Sequence, residues 1–179
     1  MTATTPRNAT AKAASRRYPT RIDLPVEVRT SVIEHLNKTL ATTLDLKTQA
    51  KQAHWNVKGM NFYQLHELFD ELAGELEAYV DMVAERVTAL AGTAMGTARI
   101  AASESILEEY PYDIVTGREH VVALAERYST YAAHLRSAID ATDELGDQDT
   151  ADLYTEISRT ADMRLWFLEA HLVEKGDVQ

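Results

Sequence analysis

The stretch HWNVKGMNFYQLHELFDELAGELEAYVDMVAE, residues 54–85, decides the fold. From Phe62 to Leu90 the apolar residues Phe62, Leu65, Phe69, Leu72, Leu76, Val83, Val87 and Leu90 keep the spacing of one amphipathic helix. Each residue turns a helix by about 100°, so His66, Asp70, Gly74, Glu77, Asp81 and Glu85 fall on a polar stripe beside the apolar one. Asp81 and Glu85 stand one turn apart and form a carboxylate pair. With His54 and His66 they make a set of imidazole and carboxylate metal ligands that one chain cannot close. The rise of about 1.5 Å per residue separates His66 from Asp81 by roughly 22 Å along the axis, against ~2.0–2.2 Å for a metal–ligand bond. Two copies running antiparallel about a twofold axis, crossing near Ala73 and Gly74, bring His66 of one level with Asp81 and Glu85 of the other. The spacing therefore predicts two sites per homodimer. The plainer reading is a solvated polar face with structural histidines, and spacing alone does not separate the two.

Working outward, Val28, Val32, Leu36, Leu40 and Leu44 step by fours after Pro25 and predict a first long helix ending near Lys58 and Gly59. The turn at Gly59 and Asn61 makes the first two helices an antiparallel hairpin, with His54 and His66 near its closed end and both able to face one ion. Gly92 and Gly96 open a long connection with a short helical piece expected around Ser103 to Glu109, stopped by Pro111. Thr116 and Glu119 have capping-box spacing ahead of a third helix carried by Val122, Ala125, Tyr128, Ala132, Leu135 and Ile139. A fourth starts around Asp149 and runs through Leu153, Ile157, Ala161, Leu165, Leu168 and Leu172. The fold class expected is all-α: a ferritin-like four-helix bundle, with a short helix in the crossover between the second and third helices. None of the six histidines has a Glu three positions before it, so the Glu-x-x-His ligands of an intrasubunit di-iron bundle are missing. No phosphate loop or nucleophile triad stands out either.

At 179 residues, 45% hydrophobic and 26% charged, the chain fits one domain with a substantial core. It has no cysteine, which excludes disulfides and thiolate metal sites and is compatible with a reducing cytosol. No apolar run approaches the ~20 residues of a membrane span and no secretory signal core is present, so a soluble, cytoplasmic protein is expected. Charge divides unevenly. Residues 1–22 carry Arg7, Lys12, Arg16, Arg17 and Arg21 and no acid, leaving 13 basic against 28 acidic residues on the rest. We read 1–22 as a flexible basic tail and 23–179 as the folded domain. Such a tail suits non-specific DNA binding; a solvated extension and an organellar transit peptide share its composition.

The run KQAHWNVKGMNFYQLHELFDEL followed by YVDMVAERV closely resembles the Dps family, the DNA-binding proteins from starved cells or mini-ferritins. AGTAMGTARI (91–100), YPYDI (110–114) and DTADLYTEISRTADMRLWFLE (149–169) are similar to it as well, so the resemblance covers nearly everything beyond the tail. It implies a ferroxidase: Fe(II) bound between subunits by His54, His66, Asp81 and Glu85, oxidised by hydrogen peroxide or dioxygen, and kept as ferric mineral in a hollow homo-dodecameric shell built from twofold dimers. Such a shell protects DNA under oxidative stress and is nucleoid-associated where it binds DNA. Asp70, one turn from His66, is a candidate second-metal or water ligand, and zinc or manganese suit the same donors. In the acidic corner between the third and fourth helices, Asp147 and Asp149 read as helix-capping residues. Asp143 and Asp152 are the candidates for the cation-drawing threefold pore that the resemblance implies. Trp55 and Trp166 read first as core and interface filler; the resemblance adds a place near the metal site, where they take up escaping oxidising equivalents. The alternative function is an architectural DNA-compacting protein with the tail as its main element.

Overall fold

The computed structural model describes residues 16–174 and Gly176. Five helices occur there: α1 (Val26–Asn56), α2 (Phe62–Ala89), α3 (Ala98–Glu104), α4 (Gly117–Glu144) and α5 (Gln148–Ala170). The only extended pairing among the described residues is an isolated bridge between Lys58 and Thr116. The four long helices follow from their apolar stripes, and Leu36, Leu40, Phe69, Leu72, Leu124, Leu135 and Ile157 meet in the shared core. On α4 the buried stripe takes Val121 and Leu124, while Val122 is left 38% exposed.

Contacts between helix ends fix the topology. His54 meets His66 at one end of the α1–α2 hairpin, and Arg29 Nη1 donates to Leu90 O at the other. Lys58 N donates to Val115 O, and Gly117 N to Lys58 O, so the crossover returns the full length of the bundle before α4 starts. Arg86 on α2 reaches the α4–α5 turn, where Nη2 donates to Asp147 Oδ1 at 2.6 Å. Asp147 is 2% exposed and also caps α5 through Thr150 N. Breaking a buried pair of this kind from one side costs about 3–5 kcal/mol, because the remaining charge is stranded. Asp147 therefore has the capping role expected of it, whereas Asp149 sits in the first turn of α5 with Arg86 Nη1 at 4.0 Å.

The short helix lies earlier than expected, at Ala98–Glu104 rather than 103–109. Thr97 occupies the extended position before it, the Ala-rich run ARIAASE favours helix, and Ser105 turns extended with its hydroxyl accepting from Leu107 N. The capping box at Thr116 and Glu119 forms as the spacing predicts. Three successive crossover residues are held to the bundle: Gln49 Nε2 donates to Glu108 O, Arg127 Nη2 to Glu109 O, and Tyr110 OH pairs with His120 Nδ1 at 2.6 Å.

Hydroxyl hydrogen bonds close the bundle interior. Thr39 Oγ1 donates to His35 O, so it accepts from both His134 Nε2 (2.9 Å) and Tyr154 OH (3.0 Å), and Thr43 pairs with Tyr131 OH at 2.8 Å. Burial lowers the pKa of His134 and of His120, favouring the neutral rings that these structural roles need.

Candidate metal centre

His54 lies in the last turn of α1 and His66 in the second turn of α2. Their rings stack with centroids 3.8 Å apart and planes at 19°. Each ring is held by the other residue's backbone: His54 Nδ1 lies 2.8 Å from His66 O, and His66 Nδ1 lies 2.9 Å from His54 O. A carbonyl only accepts, so both Nδ1 atoms carry a proton, which in the neutral ring leaves the lone pair on Nε2, the atom a metal would take. Local sequence explains the arrangement. The carbonyl of His54 belongs to the last turn of α1, where no further helical N–H follows; Lys58 N–H goes to Val115 instead. The His66 ring supplies the missing donor.

The stacking corrects one expectation. An imidazole binds along its own ring plane at about 2.0–2.1 Å from nitrogen. Planes this nearly parallel do not meet at that distance, so the two rings as placed do not both face one ion. Asp70 belongs to the same group, with Oδ1 4.0 Å from His54 Nδ1. Lys51 Nζ contacts the same oxygen, and its hydrogen bond holds the Asp70 carboxyl below its ordinary pKa. Lys51 also lies 5.9 Å from the Trp55 ring centroid. Sequence reading missed Lys51, although its place one turn before Trp55 and next to His54 on α1 was a usable signal.

Asp81 and Glu85 lie toward the far end of α2, both exposed and without a side-chain partner among the described residues. No group of three or more metal-ligating side chains converges within the described part of one chain. The structure pairs His54 with His66, leaves Asp70 beside them but engaged by Lys51, and keeps Asp81 and Glu85 apart on the same helix. Near the expected crossing, Gly74 is exposed with open space where a Cβ would be, whereas Ala73 is 4% exposed and belongs to the chain's own core. Only Gly74 offers close approach.

Neither tryptophan fills the core: Trp55 is 62% and Trp166 63% exposed, each on an outer helix face. Asp143 and Asp152 are exposed about the α4–α5 turn, Asp143 accepting from Gln148 Nε2. Of the tail cations, Arg7 and Lys12 lie outside the described residues. Arg16 and Arg21 are exposed, while Arg17 Nε donates to Thr30 Oγ1 and Tyr18 N to Ala91 O, so the segment is held to the body there. No described helix is long and apolar enough to cross a membrane.

Comparison with known proteins agrees with this architecture. A family model described as a ferritin-like domain matches residues 33–175. A DNA protection during starvation protein from Agrobacterium fabrum is 46% identical over 161 residues, spanning 90% of this chain and 99% of its own. Among solved structures, DpsC from Streptomyces coelicolor superposes with a TM-score of 0.85 at 34% identity, covering 89% of this chain and 93% of its own. Dps from Microbacterium arborescens, solved in a high iron form, gives 0.78 at 32% identity, with coverages of 83% and 96%.

Proposed function

The chain belongs to the Dps family of the ferritin-like superfamily, and from that membership we propose that it is a ferroxidase storing iron in a hollow dodecameric shell. One observation carries the reading. Two imidazoles locked with Nε2 free sit at one end of α2, and an unpartnered carboxylate pair sits toward the other, about 22 Å away. Only a second copy, antiparallel and crossing at Gly74, joins the halves.

Fe(II) is the substrate. His54 and His66 supply neutral nitrogen donors, and Asp70 with the second copy's carboxylates supplies the harder oxygens and the negative charge that favours the ferric product. Two ferrous ions give the two electrons, and two protons complete the conversion of hydrogen peroxide to two waters, so no hydroxyl radical is released. Dioxygen is the alternative oxidant. Zinc or manganese fit the same donors. The relative solved in a high iron form supports iron as the physiological cation. We assign exposed Trp55, next to His54 in sequence, and Trp166 the role of taking up stray oxidising equivalents. Titrating the protein with Fe(II) without oxygen and then adding peroxide tests the proposal. Rapid ferric absorbance at two equivalents of Fe(II) per peroxide is expected, and its loss in His54→Ala, His66→Ala. Oxidation no faster than in buffer would end the ferroxidase reading.

Asp143 and Asp152 we assign to the cation entry pore. Replacing both with Asn keeps their size and removes their field, so uptake should slow several-fold at low salt and lose its salt dependence. Oxidation of iron already bound should be unchanged, and equal uptake rates at low ionic strength would remove the pore role.

The name of the Agrobacterium relative supports a second activity, DNA protection, which we place on the basic tail in a cytoplasmic, nucleoid-associated protein. A chain in which DNA compaction is the main task and the metal site serves assembly is the alternative, and the peroxide experiment separates the two.

A further inference from the structure

A groove of about 540 Å³ runs between α1 and the crossover, walled by Asp45, Gln49 and Trp55 on one side and Ala102, Glu109 and Tyr112 on the other. Its lining holds two carboxylates and no lysine, arginine or histidine. Trp55 and Tyr112 leave 62% and 72% of their surfaces open. Gln49 is 4% exposed; its Nε2 donates to Asp45 Oδ1 and Glu108 O, and its Oε1 has no donor among the described residues. Lys51 lies 5.9 Å from the Trp55 ring but is bound to Asp70, so the Asp45 and Glu109 carboxylates and the Tyr112 face suit a guanidinium, which forks onto carboxylates and stacks on rings.

Such a group stands nearby without a partner. Arg99 on α3 is exposed and makes no ion pair or hydrogen bond among the described residues. The α1–α2 pairings of His54 with His66 and of Arg29 with Leu90 put Leu46 level with Gly74. Gly96 backs onto Leu40 and Leu44, so α3 lies beside α1 close to that same level, with its Ala102 at the groove. With a twofold axis at Gly74, the α3 of a second copy comes to the level of Asp45 to Gln49.

We infer that Arg99 of a second copy seats in this groove against Asp45 and Glu109, and that the twofold axis repeats the contact in the opposite sense. The inference rests on the antiparallel crossing proposed above and adds to it a charge-reading contact that fixes which copies pair. The groove's negative charge rejects a subunit without a cation at this position, so the contact selects partners as well as binding them.

Charge reversal tests it, with self-association of the full chain followed by sedimentation velocity over a concentration series. R99E alone, and D45K with E109K, should each weaken dimerisation by roughly tenfold or more. Combining R99E with D45K and E109K should restore most of the loss. Because Asp45 also holds Gln49, E109K with R99E gives a second pair that leaves that hydrogen bond intact. Unchanged association in R99E, or weakening that reversed groove charges do not rescue, overturns the inference. None of these residues is a proposed iron ligand. Recovered oxidation on mixing ligand variants, described below, with no effect of Arg99 would remove this contact and leave the shared site standing.

Discussion

Subunits carrying His54→Ala and His66→Ala, mixed with subunits carrying Asp81→Ala and Glu85→Ala, should regain iron oxidation that neither has alone. After random exchange, half of the dimers are mixed. Each mixed dimer holds one complete site and one empty one, so about a quarter of wild-type activity is expected. The magnitude follows from geometry. Each parent lacks either every nitrogen donor or the carboxylate pair at every site, whereas the mixed dimer regroups the intact halves across the twofold axis. Loss of the His54–His66 stack also removes a hydrogen bond at the end of α1, so thermal unfolding of the first parent should be measured alongside. No recovery after exchange has been verified by mass would show that the ligands do not come from two chains.

Neutralising the tail should abolish retardation of duplex DNA. The segment 1–22 carries five basic residues and no acid, and the rest of the chain carries 13 basic and 28 acidic residues, so the body repels a phosphate backbone. Attraction then resides in the tails, each weak alone and strengthened when several on one shell engage the same duplex. Replacing Arg7, Lys12, Arg16, Arg17 and Arg21 with Gln should eliminate binding at low salt for any sequence and leave iron oxidation intact. In the unaltered protein, affinity should fall steeply and log-linearly with salt. Arg17 also donates to Thr30, so a variant that keeps Arg17 distinguishes lost phosphate contacts from a loosened anchor. Retardation that persists in both variants would remove the tail as the binding element.

Sequence showed the helices clearly because each long helix carries its own apolar period, which local burial must satisfy. Where a helix is short, tertiary contacts decide: α3 lies at Ala98–Glu104 rather than around Ser103 to Glu109, since Ser105 turns extended and its hydroxyl accepts from Leu107 N. Val122 could not be told from Val121 by periodicity, as the capping box sets the phase of α4. For the site, residue types and the separation on α2 were legible, because helix rise is fixed. Ring orientation was not. The reciprocal bonds of His54 and His66 run from side chain to backbone across two helices, and no spacing rule encodes them. Lys51 on Asp70, and Arg164 donating from α5 to Glu75 on α2 at 2.8 Å, likewise depend on how the helices face each other.

The hydroxyl network inside the bundle bears on the order of events in the protein's life. Thr39, Thr43, Tyr131, Tyr154 and His134 satisfy one another by hydrogen bonds, and the proposed metal ligands stand outside that network. Where ligands form the core, chelation and folding are one transition, and an empty protein collapses. On the proposed function the two should be uncoupled: a subunit should reach its final shape before it takes up cargo, and withdrawing the iron should leave the container standing.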